Sequence, residues 1–317
     1  VRQLDEKILN IGFLGKGDYP AKIIERFRKE EKIGMCCGLD SFENEEIFKL
    51  RDSEELLRVA DAVFVFDPAY STLDELSALL RSSKHIFVQH SGLLSVGELR
   101  KLGNLATEAG VVFQVGSKNR FDPMFVDLMD FDIKPRIIEV HRYAEFAEYS
   151  TYLSLVDDLL LPDLDSTIAL SGSQVKRISA SGVGVLYNDP DMITARLEFF
   201  NGCVANITVS KISQKEVHKM RLFRNNTFYD ANFLKGEIRT LNGESVSGKA
   251  SKNQTESILS NYQIPVNPQI LLEKQIESFY YCIINGMDAQ IGPQQMGNAR
   301  QVAEGIIDQL ERNFNST

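Results

Sequence analysis

Lys7-Ile-Leu-Asn-Ile-Gly-Phe-Leu-Gly15-Lys-Gly17-Asp18-Tyr-Pro20 is the stretch on which the fold turns. A short β-rich run ends at Gly15, and beyond it Ile23, Ile24 and Phe27 recur at helical spacing among charged residues. Gly15 and Gly17 fall where a strand–turn–helix needs them to receive a dinucleotide. One permits the tight turn, and the other lets backbone approach a pyrophosphate at the helix N-terminus. Pro20 stands where a third glycine is usual, which suits an early helical position but alters the helix–strand packing. Asp18 is the expected N-cap, and its carboxylate competes with phosphate for the same amides. Asp40, after the second strand, is the acidic candidate for the adenosine ribose, with Gly38 close to the decisive position. NAD and NADP therefore both stay open. The bland alternative is a plain α/β turn that holds no cofactor.

Working outward, strand and helix signals alternate as far as about residue 120. Strands are expected at Lys32–Gly38, Asp61–Phe66, His85–Val88 and Val111–Val115. Helices are expected at Ser53–Ala60, with Ser53 as N-cap, and at Thr72–Arg81 and Val96–Ala109. That alternation predicts a parallel sheet with helices on both faces. The texture then changes. Arg136–Phe146 alternates at period two, as a one-sided antiparallel strand does. A helical stretch covers Leu153–Leu170, and strands follow at Val175–Leu186, Ile193–Phe200, Val204–Val209, Lys219–Phe223 and Thr227–Phe233. Asn201-Gly202 marks a hairpin, Ser245–Thr255 reads as a mobile loop, and helices at Ile270–Ile284 and Gln294–Asn313 close the chain. The expected architecture is a Rossmann dinucleotide-binding domain over residues 1–120. Residues 121–317 are expected to form an α+β substrate and oligomerisation domain, its open, mostly antiparallel sheet backed by helices on one face.

At 317 residues the chain has room for two cores. Its net charge of −9 argues against a nucleic-acid partner, which usually requires a basic face. No apolar run reaches the ~18–20 residues that span a membrane. A cytoplasmic protein without a signal peptide is the expectation. Cys36, Cys37, Cys203 and Cys282 read as reduced, buried thiols. The scattered His85, His90, His141 and His218 lack ligand spacing, so neither a disulfide nor a metal is expected.

Five segments carry a resemblance: Asp61–Pro68 (DAVFVFDP), Lys84–Ser95 (KHIFVQHSGLLS), Gly116–Pro123 (GSKNRFDP), Asp158–Asp165 (DLLLPDLD) and Ile276–Met287 (IESFYYCIINGM). In order and spacing they resemble the Gfo/Idh/MocA family of NAD(P)-dependent oxidoreductases: its third Rossmann strand, Glu-Lys-Pro segment, Arg-Phe-x-Pro junction, Asp-x-x-x-His helix and C-terminal helix. His141 to Leu197 is most similar to a branch reading Asp-Leu-x-Ile-His-Asp-x-Asp, which includes dehydrogenases of nucleotide sugars. The resemblance implies cofactor contacts from Gly15, Gly17, Asp40, Asp67, Pro68 and Gln89. It implies substrate contacts from Arg120, Arg142, Asp163 and Asp165, and catalysis by His90 and Asp158.

The departures fall on the chemistry. The family lysine is His90, the family histidine is Pro162, and the histidine usual after the third strand is Thr72. A histidine starts near pKa ~6.5 and serves as a base at neutral pH. Proline carries no proton and cannot bond back to the carbonyl of Asp158, so a kink is expected there. Lys118, Tyr143, Tyr149 and Tyr152 are further polar side chains near these segments. Asp163 and Asp165 read equally as substrate ligands or as a solvated helix face. Arg142 suits either an anionic substrate group or a carboxylate within the domain.

Two functions compete. One is an oxidoreductase moving a hydride between NAD(P) and a sugar or nucleotide-sugar hydroxyl, with His90 as base. The other is a catalytically impaired relative that keeps a nucleotide or sugar site for a sensing or structural role. Either is expected to form a homodimer or homotetramer through the open face of the second sheet.

Overall fold

The computed structural model describes residues 8–15, 23–24, 33–39, 46–89, 94–145, 155–186, 189–224, 226–243, 254–261 and 268–314. Its α-helices are α1 (Ser53–Val59), α2 (Leu73–Arg81), α3 (Val96–Ala109), α4 (Pro123–Asp130), α5 (Leu161–Ser171), α6 (Pro268–Asn285) and α7 (Pro293–Phe314). The chain divides into two compact units: Val1–Ser117 with Gln269–Gly297, and Lys118–Pro268 with Asn298–Thr317.

The first unit holds a parallel sheet of β1 (Leu9–Leu14), β2 (Ile33–Gly38), β3 (Ile47–Lys49), β4 (Ala62–Val65), β5 (His85–Val88) and β6 (Phe113–Val115). Its order is β3-β2-β1-β4-β5-β6, the doubly wound order in which the connections reverse direction beside β1. All four residues of β4 are buried, as a central parallel strand covered on both faces must be. Cys36 and Cys37, neighbours on β2, are both buried for the same reason. α3 begins at a capping box between Ser95 and Glu98 and ends at Gly110 in the left-handed conformation, so its bounds match those read from the sequence. α1 differs by one residue: its cap is Asp52, which accepts from the amide of Glu55, and Ser53 is the first helical residue.

The second unit holds β7 (Ile137–Glu145), β8 (Val175–Val183), β9 (Met192–Phe199), β10 (Val204–Ser213), β11 (Val217–Arg224), β12 (Thr227–Asn232), β13 (Glu237–Gly243) and β14 (Gln254–Asn261). The order is β14-β13-β12-β11-β7-β10-β9-β8. β10 pairs with β7 in parallel and every other pair is antiparallel. One face buries Ile138, Val140, Ile193, Ala195, Leu197, Ala205, Ile207 and Val209. The other carries polar cross-strand pairs such as Thr194 with Thr208 and Arg196 with Asn206. β13 and β14 lie where no strand was expected. Glu237–Gly243 (EIRTLNG) has too little apolar content to declare itself, and it pairs because β12 presents a free ladder edge. Gln254 and Thr255 open β14, whereas 245–253 of the expected loop lie outside the described residues.

The composition shift near residue 120 predicts a single cut, and the chain changes unit three times, after Ser117, Pro268 and Gly297. α6 returns to the first unit because its apolar stripe, Leu272, Ile276, Phe279 and Ile283, completes that core. Phe279 meets Phe64 edge-on at 5.4 Å between ring centroids and Phe87 at 6.0 Å. Periodicity shows that a helix has an apolar stripe; it cannot show which core the stripe fills. Phe279→Ala should therefore destabilise the first unit by about 3–5 kcal/mol. Urea denaturation measures this, and a loss under about 1 kcal/mol would separate α6 from that core.

Candidate functional site

In an open α/β sheet the ligand crevice lies outside the carboxyl ends of the strands where the connections reverse. Here those ends belong to β1 and β4, and the residues beyond them are Gly15 and Asp67. Gly15 has φ +106°, and a Cβ placed on it would stand 2.6 Å from both the backbone N and the Cβ of Asp67. Only glycine lets the two strand ends come this close. Asp67 caps a 3₁₀ turn over Pro68–Tyr70, accepting from the amide of Ala69 at 2.8 Å. Thr72, standing where a family histidine is usual, caps α2 by accepting from the amide of Glu75. Gln89 follows β5. Its amide donates to the Val65 carbonyl at 2.9 Å, and its Oε1 is buried with no hydrogen-bond partner among the described residues. Gly17, Asp18, Pro20, Asp40 and His90 lie outside the described residues.

α6 braces this end of the sheet through Gln275, which is fully buried. Its Oε1 accepts from the Ser117 amide at 2.8 Å, and its backbone carbonyl accepts from Gln114 Nε2 at 2.7 Å. Gly116 must be glycine for a related reason, since a Cβ there would meet the Gln89 carbonyl at 2.7 Å.

In the second unit the helical stretch expected over Leu153–Leu170 has two parts. A π-helical turn covers Leu155–Leu160, and α5 starts afresh at Leu161 with Pro162 in its first turn. Proline is tolerated there because the first amides of a helix need no partner. Where a kink was expected, the helix changes type, from the π turn to the α-helix. Asp158 is exposed on this turn. Asp157 donates nothing and accepts from Arg300 at 2.6 Å. Burial, aided by the charge of Asp158, lifts the Asp157 carboxyl above its ordinary value against the pull of Arg300.

Asp163 and Asp165, expected as substrate ligands or a solvated face, are buried: Asp163 is 0% exposed and Asp165 3%. Asp163 Oδ1 accepts from Asn119 Nδ2 at 2.9 Å and from Arg142 Nη1 at 3.0 Å, and His218 Nε2 stands 3.4 Å away. Asp163 Oδ2 has no hydrogen-bond partner among the described residues. Burial alone would raise this carboxyl, but Arg142, His218 and Asn119 together hold it below the usual carboxylate range. Arg142 thus meets a carboxylate of its own unit. Arg120 Nε lies 3.4 Å from Asp165 Oδ2, with the guanidinium 5.5 Å from the ring centre of Phe125. Tyr143 bonds His141 at 3.0 Å on the opposite face of β7.

Two residues escaped the sequence reading. His218 lies directly across from Arg142 in the β11–β7 register, a pairing that no local pattern reveals. Lys211 was lost because β10 was expected to stop at Val209. Its signal was available: continuing the Ala205, Ile207, Val209 alternation puts a lysine in an apolar series. Among the described residues no three His, Cys, Asp or Glu side chains gather to hold a metal ion. No helix there is long and apolar enough to cross a membrane.

Asp163→Asn would leave Arg142 and His218 facing a neutral group and should cost about 3–5 kcal/mol at neutral pH. A carboxyl whose folded pKa is depressed stabilises the fold fully above the unfolded value, about 3.9, and loses that contribution as pH falls through the lower folded value. The gap between wild type and variant should therefore close in acid. Urea denaturation across pH measures it, and a gap that does not change with pH would contradict the ionised pairing.

No protein-family model matches the chain. Over 186 residues, 58% of this chain and 59% of the relative, it is 27% identical to UDP-N-acetylglucosamine 3-dehydrogenase of Acidithiobacillus ferrooxidans. That match spans less than two thirds of the relative's own length. Over 281 residues, 81% of this chain and 76% of the relative, it is 25% identical to scyllo-inositol 2-dehydrogenase (NAD(+)) of Bacillus subtilis. Among solved structures, UDP-N-acetylglucosamine 3-dehydrogenase GnnA of A. ferrooxidans superposes with a TM-score of 0.83 at 20% identity, covering 97% of this chain and 99% of that one. Levoglucosan dehydrogenase, in complex with NADH and levoglucosan, superposes with a TM-score of 0.79 at 11% identity, covering 96% and 98%. At such identities the structures establish the fold. These homologues and structural neighbours are Gfo/Idh/MocA-type dehydrogenases, and the chain is similar to them in sequence and shares their fold.

Proposed function

We propose that the chain moves a hydride between NAD or NADP and a hydroxyl of a sugar or nucleotide sugar. The observation that carries this reading is the sheet's reversal point, where Gly15 at positive φ is pressed against Asp67 beside the carboxyl end of β4. The relatives' names support it, since UDP-N-acetylglucosamine 3-dehydrogenase and scyllo-inositol 2-dehydrogenase both act on ring hydroxyls. When bound, the nicotinamide accepts the hydride or returns it. Gly15 and Gly17 seat the pyrophosphate, Asp40 meets the ribose, and Asp67, Pro68 and Gln89 line the remainder. His90 takes the hydroxyl proton and Asp158 orients the hydroxyl. Asp163 and Asp165 hold Arg142 and Arg120, which offer the positive charge to substrate.

The competing reading, an impaired relative that only binds, draws on Pro162 in the place of the family histidine. Nicotinamide fluorescence separates the two. NADH or NADPH should saturate the protein below about millimolar concentration, and no binding of either would reject the oxidoreductase. His90→Ala should then cut turnover on a sugar-nucleotide panel by about 10²–10⁴. Unchanged turnover would remove His90 as the base.

We propose further that copies of the chain pair through the uncovered sheet face that bears Thr194, Arg196, Asn206 and Thr208. Light scattering should give two or four times the chain mass; a monomer mass would reject the pairing.

A further inference from the structure

β8 is an edge strand of the second sheet, and α7 lies against it. Gln309 of α7 fixes the contact: its Oε1 accepts from the Ala180 amide at 2.9 Å, and its Nε2 donates to the Ile178 carbonyl at 3.0 Å. Gly305 lets the helix come close, since a Cβ there would stand 3.0 Å from Ile178 Cδ1. Beside this contact the two elements border a groove of about 560 Å³, the size of a small-molecule site. Its lining residues all belong to the second unit.

Strand alternation would send consecutive residues such as Lys176 and Arg177 to opposite faces. A bulge breaks it: Val175 pairs with Phe199 and Arg177 with Glu198, so Lys176 is an extra residue in β8. Both cations line the groove, and Arg312 and Asp308 join them from one face of α7. Glu198, opposite Arg177 in the register, lies 3.9 Å from Arg196, and among the described residues neither Lys176 nor Arg177 has an ion-pair partner. Val175, Ile178 and Val302 supply an apolar wall.

Guarding a sheet edge takes a single charge. Here three cations and one carboxylate meet, an excess of two positive charges in a chain whose net charge is −9. A phosphate monoester carries about −1.5 to −2 near neutrality, which matches that excess, whereas a carboxylate brings only one charge. An extended peptide is disfavoured, because Gln309 already occupies outward backbone groups of Ile178 and Ala180 that an added strand would need. We propose that the groove binds a phosphate monoester carried on a flat, largely apolar body. Lys176 and Arg177 hold the phosphate, and Val175, Ile178 and Val302 pack against the body. The inference stands without the hydride-transfer reading.

Calorimetric titration of the full chain with phenyl phosphate at neutral pH tests this. Wild type should bind it below about millimolar concentration, and inorganic phosphate, which lacks the ring, should bind more weakly. Lys176→Gln combined with Arg177→Gln should weaken phenyl phosphate by about tenfold or more. Both side chains are exposed, so the fold should survive, which circular dichroism checks. Asp308→Asn removes the opposing carboxylate and should tighten binding, and Gln301→Trp, on the groove's exposed rim, should block it. No binding of phenyl phosphate by wild type overturns the site. Binding that the charge and rim variants leave unmoved lies elsewhere in the chain and overturns it too. Equal affinity for inorganic phosphate overturns the role given to the apolar wall. Should the double variant fail to fold, Asp308→Asn and Gln301→Trp decide alone.

Discussion

A missing amide hydrogen organises the polar end of the second unit. Pro162 cannot donate to the carbonyl of Asp158, so an α-helix cannot run unbroken through this point. The chain answers with a π turn over Leu155–Leu160 and a fresh α-helix from Leu161. In an unbroken α-helix Asp158 and Asp165 would share a face, being seven residues apart. Here Asp158 is exposed, whereas Asp165 and Asp163 are buried. The change of helix type beside Pro162 thus lies between an outward carboxylate and an inward pair.

The inward pair acts as an anchor. A buried carboxylate is tolerated only when cations and hydrogen-bond donors offset its lost hydration. Asp163 gathers Asn119, Arg142 and His218 from three separate elements, so the segment after Lys118, β7 and β11 are tied to one oxygen. His218 is also stacked on Phe233 at 4.3 Å between ring centres, which steadies its place beside Asp163.

The first unit relies on close approach rather than on charge. Rings from β1, β4, β5 and α6 meet in one cluster, Phe13, Phe64, Phe87 and Phe279, which holds the central strands in register. At the strand ends that packing leaves room only for glycine, at Gly15 against Asp67 and at Gly116 against Gln89. A reversal point built this tightly leaves little freedom to the side chains around it.

Much of this was legible from the sequence. Alternating β and α signals, the Gly15 turn and the apolar run at Ala62–Val65 determine a doubly wound parallel sheet, because a strand buried on both faces must be apolar throughout. The bounds of α3 could be read directly, since Ser95, Glu98 and Gly110 act on backbone within a few residues of themselves. Local chemistry is written locally. Tertiary structure alone decided which core receives α6, whether Asp163 and Asp165 face water, and that His218 stands across from Arg142. Each of these depends on which distant segment lies opposite, and in a sheet that is settled by strand order and register.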